Sequence, residues 1–127
     1  MPHSIEVKGL EILKAYLDKS GRKWTKSDKK TFDLIVDGLN CEVKTKGKKF
    51  RDLDFLSFTD NQFNEAKNGT KFIIFLVCNL NSGNENDYEI YEFESVEFFK
   101  MVPQIYCSYE FKKNQIKQLN PINKLSV

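Results

Sequence analysis

The chain has 127 residues, 40% of them hydrophobic and 30% charged, with a net charge of +2, eleven Phe and five Tyr. That length supports one domain with a real but modest core, and the expectation is a single domain over 1–127. No apolar run reaches membrane-spanning length or has the shape of a signal peptide, and three widely spaced cysteines with one histidine fit neither a zinc site nor a disulfide framework, so reduced thiols in a cytoplasmic protein are expected.

Residues 4–19 carry apolar side chains at helical spacing: Leu10, Leu13 and Leu17, widened by Ile12 and Tyr16. Gly21 suits the stop. A short strand is expected at 23–25. Strands are expected over 31–36 and 41–45, where the apolar runs 32–36 and 41–43 flank Asp37-Gly38, a dipeptide that accepts the positive φ angles of a tight hairpin. If those two form the turn, Val36 pairs with Leu39 and Asp33 lies opposite Glu42. Alternation along the strand then puts Lys44 on the face of Glu42. Two carboxylates and an ammonium converge on one patch, which suits a divalent metal and an activated water.

A basic loop follows at 46–51. Thr59-Asp60-Asn61-Gln62 has the capping-box pattern of a helix start, with Gly69 as its end. Residues 71–79 are apolar enough for a central strand covered on both faces. A polar turn at 81–86 leads to a strand at 88–93. A short helix over 95–102, capped by Ser95 and ended by Pro103, and a last strand over 105–111 complete the order. From Asn114 the chain reads as polar and loose.

Charge is unevenly placed. Through Arg51 there are thirteen Lys/Arg against seven acids, and from Asp52 to Glu110 three against eleven. The hairpin therefore sits in the basic part, which suits a polyanionic partner. The acidic, aromatic segment 86–99 offers a surface for a partner protein.

Asp33 and Glu42-Val43-Lys44 on adjacent strands, with a helix before and a helix and strand after, resemble the PD-(D/E)XK nuclease superfamily, including its Mrr-type and Holliday-junction-resolvase-like members. The resemblance covers roughly residues 5–79; Phe32 stands where the family's pattern has proline. It implies an α/β, restriction-endonuclease-like fold: a mixed central sheet flanked by helices, with an α-β-β-β-α-β core and further strands and a helix after it. It implies a Mg²⁺- or Mn²⁺-dependent endonuclease leaving 5′-phosphate and 3′-hydroxyl ends. Asp33 and Glu42 would hold the metal with the Val43 carbonyl, and Lys44 would orient or activate the attacking water. Hard oxygen donors suit these cations.

Two further positions match places the family uses. An extra glutamate on the first helix is Glu6 or Glu11; Glu6 falls in the apolar stripe facing the sheet and is preferred, although counting back from Gly21 favours Glu11 at least as well. Gln62 sits where members place a Gln or Glu near the active site, and it also completes the capping box. Lys46, Lys48, Lys49 and Arg51 would contact phosphates beside the cut. DNA is favoured over RNA as substrate, with specificity supplied by a homodimer or a partner subunit. Alternatives are a catalytically inactive nucleic-acid- or protein-binding module of this fold, an RNA-cleaving toxin-like nuclease, and an unrelated α/β interaction protein.

Overall fold

Asp37 and Gly38 make the first hairpin: both hold positive φ, 50° and 88°, the pairing of signs that a type I′ turn requires. The computed structural model describes residues 4–101, 104–105 and 109–126. Around that turn, strand β2 (Leu34–Val36) pairs with β3 (Leu39–Thr45) in the expected register, Val36 opposite Leu39 and Leu34 opposite Cys41. A short β1 (Trp24–Lys26) pairs antiparallel with β2 on its outer side, one residue later than the sequence suggests.

Before these strands runs helix α1 (Ser4–Lys19), with the bounds its apolar spacing predicts. Leu13 and Leu17 are fully buried. Gly21 takes φ +74° and turns the chain back. Strand β5 (Ile73–Cys78) is buried at every position and runs parallel to β3, opposite Cys41 to Thr45. Burial on both faces accounts for its uninterrupted apolar sequence. Strand β6 (Glu89–Glu94) pairs antiparallel with β5, and β9 (Asn123–Ser126) with β6. The main sheet is therefore mixed and six-stranded, in the order β1-β2-β3-β5-β6-β9.

The parallel β3–β5 connection contains two elements. Strand β4 (Phe55–Phe58) has no counterpart in the sequence reading. Helix α2 (Asp60–Lys67) does, and its capping box between Thr59 and Gln62 forms as expected. Strand β4 joins β8 (Tyr109–Lys112) and β7 (Gln104–Ile105) in a second sheet of order β4-β8-β7. The single final strand expected over 105–111 is thus two strands, and its residues 106–108 lie outside the described residues.

The main sheet buries a different core on each face. Leu13, Leu17, Leu34, Val36, Cys41, Phe75, Val77 and Ile90 cluster beneath α1. On the other face Ile74, Leu76, Cys78 and Phe93 meet Leu56 and Phe58 of β4, Phe111 of β8 and Phe98 of helix α3 (Ser95–Phe99). Phe58, Phe98 and Phe111 contact one another edge to face, with centroids 5.5–5.8 Å apart, a preferred aromatic geometry. Ser95 does not cap α3. Its hydroxyl accepts from the Phe72 N–H at 3.0 Å and its N–H donates to the Phe72 carbonyl at 2.9 Å, so it extends the β5–β6 pairing while Glu94 takes the cap position. Val102 and Pro103, expected at that helix's end, lie outside the described residues.

The segment after Asn114 is not loose. Helix α4 (Lys113–Ile116) buries Ile116, Lys117 places its ammonium 3.9 Å from the centre of the Phe50 ring, and β9 completes the sheet edge. Cys41 and Cys78 are buried and free, and burial pushes both thiols up to about 12, so both are neutral at physiological pH. Among the described residues, no helix is long and apolar enough to cross a membrane.

Candidate active site at the β2–β3 edge

Strand β2 stops at Leu34, and Asp33 is the reason. Its N–H still donates to the Cys41 carbonyl at 3.0 Å. Its carboxylate Oδ2, not a backbone carbonyl, accepts the Val43 N–H at 2.9 Å. The side chain replaces one rung of the ladder, and the strand peels away. A residue in a strand points its N–H and C=O to the same edge. The Val43 carbonyl is therefore directed toward the side on which Asp33 stands.

Glu42 projects onto the face of the sheet away from α1, opposite to Cys41 and Val43. Only 7% of it is exposed. Its Oε2 accepts from the Gln62 side-chain Nε2 and lies 3.1 Å from the Lys44 ammonium. The Glu42 pKa is raised to about 8: burial is the main cause, the neighbouring Asp33 carboxyl adds to it, and the nearby Lys44 charge opposes both. A buried carboxyl that shares a cleft with a second one is short of positive charge, and the donors are all hard oxygens. A divalent cation between Asp33 and Glu42 fits that deficit.

Lys44 is held from three sides. Besides Glu42, its ammonium donates to Gln62 Oε1 at 3.4 Å and stands 4.8 Å from the centre of the Phe58 ring. Gln62 is 4% exposed and fully engaged. Its Oε1 also accepts the Thr59 N–H at 3.0 Å, closing the capping box, and its Nε2 donates to the Thr31 carbonyl at 3.3 Å as well as to Glu42. The cap fixes which end of the amide is oxygen, so the same bond that starts α2 aims an N–H at Glu42 and an oxygen at Lys44. The structural and site readings of Gln62 hold together in one geometry.

Asp33, Glu42, Val43 and Lys44 line a cleft of about 450 Å³ whose walls include Glu6 and Leu10 of α1, Thr45, Lys46 and Ser57, while Gln62 lies behind it. No protein-family model matches this chain, and no curated protein matches it in sequence. Among solved structures, it is similar to Hjc, a Holliday junction resolvase from the archaeal hyperthermophile Archaeoglobus fulgidus, with a TM-score of 0.54 at 12% identity over 91% of this chain and 92% of that one. The fold is restriction-endonuclease-like.

Within that restriction-endonuclease-like frame the remaining candidate residues fall in distinct places. Glu6 lines the cleft but is exposed. Helix α1 covers the sheet face opposite to Glu42 and Lys44, so Glu6 reaches the cleft around the edge opened at Asp33. Among the described residues no three acidic, histidine or cysteine side chains form one metal-binding cluster, and Glu6 stands apart from the Asp33–Glu42 pair. Glu11 lies elsewhere, in a depression with Lys8 and Tyr88. Lys46 is in the cleft wall, its ammonium 4.7 Å from the centre of the exposed Phe55 ring. Lys48 is exposed and 3.7 Å from Asp54, Arg51 is exposed and 3.9 Å from Asp52, and Lys49 is exposed.

Two contributors were not read from the sequence. Strand β4 supplies Leu56 and Ser57 to the cleft and Phe58 under Lys44; its signal is the short aromatic run Phe55-Leu56-Ser57-Phe58 just before a helix cap. Gly9 is the other. A Cβ at Gly9 would lie 2.1 Å from the Thr45 hydroxyl, so the absence of a side chain there lets α1 close on β3 and form the cleft's far wall.

Proposed function

We propose that this chain is a metal-dependent nuclease that hydrolyses phosphodiester bonds in DNA. The observation that carries the reading is the buried Glu42 carboxyl, lining one open cleft with Asp33 and 3.1 Å from the Lys44 ammonium. The fold shared with a Holliday junction resolvase supports DNA as the substrate and a phosphodiester as the bond.

Asp33 and Glu42 would hold Mg²⁺ or Mn²⁺, with the Val43 carbonyl as a further oxygen donor. Such a cation, when bound, offsets the charge of the scissile phosphate and makes an attacking water more acidic. Gln62 holds the Glu42 carboxylate in place by donating to its Oε2. Lys44 brings a fixed positive charge into the cleft, where phosphate charge grows as the transition state forms; a preorganised group of this kind is typically worth about 10²–10³ in rate. Phe58 and Leu56 keep that charge partly out of water, which strengthens its effect.

The test is cleavage of plasmid, single-stranded DNA, a branched junction and tRNA in Mg²⁺, Mn²⁺ and EDTA, with Lys44→Ala as the matched control. Metal-dependent cutting of DNA should fall by about 10²–10³ in the variant. Cutting confined to tRNA would move the reading to a ribonuclease. Mn²⁺ binding abolished by Asp33→Asn, but with no cutting of any substrate, would fit the inactive module of the same fold.

A further inference from the structure

The cleft at Asp33 continues on its other side. A depression of about 650 Å³ opens there between α1 and the turn at 26–30, and it shares Leu10 and Asp33 with the candidate active site. On the opposite flank Lys46 belongs both to the active-site cleft and to a smaller depression with Lys48 and Phe55. The three make one trough, with the two carboxyls in its middle.

The charges along it are ordered. One flank carries Lys14, Lys26, Lys29 and Lys30 against Asp28; the other carries Lys46 and Lys48 against Asp54. Lys26, Lys29 and Lys30 are exposed, and among the described residues they form no ion pair. The turn that displays them is fastened down. Ser27 Oγ donates to Asn40 Oδ1 at 3.1 Å and accepts the Lys29 N–H at 3.2 Å. The Ser27 N–H donates to the Asp33 carbonyl at 3.3 Å, and Phe32 anchors the far end in the core. A carboxyl pair repels a polyanion until a cation is bound, so attraction has to come from the flanks. Here both flanks are basic.

We infer that the turn at 26–30, with Lys14, is a second phosphate-binding arm, and that a polynucleotide strand lies along the trough, held on both sides of the phosphate that is cut. This deepens the nuclease reading and rests on it for the meaning of the central carboxyls. An enzyme that grips both sides cuts within a strand and needs no free end.

Binding is measured apart from cutting. A labelled single-stranded oligonucleotide is titrated in EDTA across a salt series, with the wild type, with Lys26→Gln/Lys29→Gln/Lys30→Gln, and with Lys19→Gln/Lys67→Gln, which alters two exposed lysines outside the trough. Loss of three phosphate contacts should lower the slope of log affinity on log salt by about 2, with affinity falling about tenfold or more at moderate salt, while the second variant binds as the wild type does. Lys29→Glu alone repeats the test should the triple substitution unfold the chain. An unchanged slope in the arm variants, or an equal loss in the control, overturns the arm. With Mg²⁺, covalently closed single-stranded circles should be cut by the wild type; degradation of linear strands alone would also overturn it. Arm-dependent binding with no cutting of any substrate would remove the nuclease and leave the arm, whereas cutting with arm-independent binding would do the reverse.

Discussion

Glu42 is the residue at which chemistry and stability meet. Its carboxyl titrates near 8 in the folded chain, mainly because it is buried, against an ordinary value of 4.5. Between those values the folded state holds a proton that the unfolded state has released. The sign follows: without metal, stability falls as pH rises from about 4.5 to 8, by at most about 1.4 kcal/mol per unit, and levels off above 8. Glu42→Gln removes the titration and keeps an oxygen for Gln62 and Lys44 to bond. Urea unfolding in EDTA should therefore show the variant gaining on the wild type steadily across that window, until it is more stable by a few kcal/mol at pH 8. A divalent cation needs the ionised carboxyl, so wild-type Mn²⁺ affinity should climb up to tenfold per unit over the same range. Parallel stability profiles for the two proteins would mean that Glu42 is ionised throughout. Asp33 is a different case, because its Oδ2 also stands in for a ladder acceptor. Asp33→Asn preserves that acceptor, so it should fold while losing metal affinity, as circular dichroism and Mn²⁺ titration on one sample would show.

At the level of elements, the site depends on how closely α1 approaches β3. Gly9 and Thr45 set that distance, and Gly9→Ala would drive a methyl group into the Thr45 side chain. Overpacking of this kind costs about 1–3 kcal/mol. The double substitution Gly9→Ala/Thr45→Ala, which removes both the hydroxyl and the methyl that the added Cβ meets, should recover part of the loss in thermal unfolding; no recovery would place the strain elsewhere. The same contact marks where sequence reading ran out. The spacing of Leu10, Leu13 and Leu17 correctly gives the helix and the face it buries. It also turns Glu6 toward the sheet, but periodicity does not say which face of the sheet a helix meets. Because α1 packs against Cys41 and Val43, Glu6 reaches only the wall of the cleft, exposed and apart from the Asp33–Glu42 pair. The hairpin's register was legible to the residue, since Asp37-Gly38 dictates one turn and the turn dictates the register, although the first strand begins at Leu34 and not at residue 31, and the second at Leu39 and not at residue 41. Strand β4 was not, since four residues before a helix cap carry too little alternation to stand out, and its partner β8 lies some fifty positions later in the chain. The C-terminal segment looked loose because its composition is polar, whereas Ile116 alone fixes α4 in the core and the β6 edge supplies β9 with backbone partners.

On the scale of the whole molecule, one arginine ties together segments that are far apart in sequence. Arg22 donates from Nε to Asp37 Oδ2 at 2.9 Å, and from Nη1 and Nη2 to the two oxygens of Glu92 at 2.8 and 3.2 Å. It therefore fastens the end of α1 to the hairpin turn and to β6, and its hydrogen bond holds the exposed Asp37 carboxyl below the usual carboxylate range. The hairpin is pinned by Arg22 at its turn, and at its other end it carries Asp33 and Glu42. Glu92 is 5% exposed, so what the pair contributes depends on what replaces it. Removing one partner strands a charge in the core and costs about 3–5 kcal/mol, while replacing both with apolar side chains is often neutral. Arg22→Met should thus destabilise severely in urea unfolding, Glu92→Met somewhat less because Arg22 keeps Asp37, and the double substitution should be more stable than Arg22→Met. Additive losses in that cycle would show that the two side chains act separately, and that the hairpin is held in register by its turn and its strand pairing without help from β6.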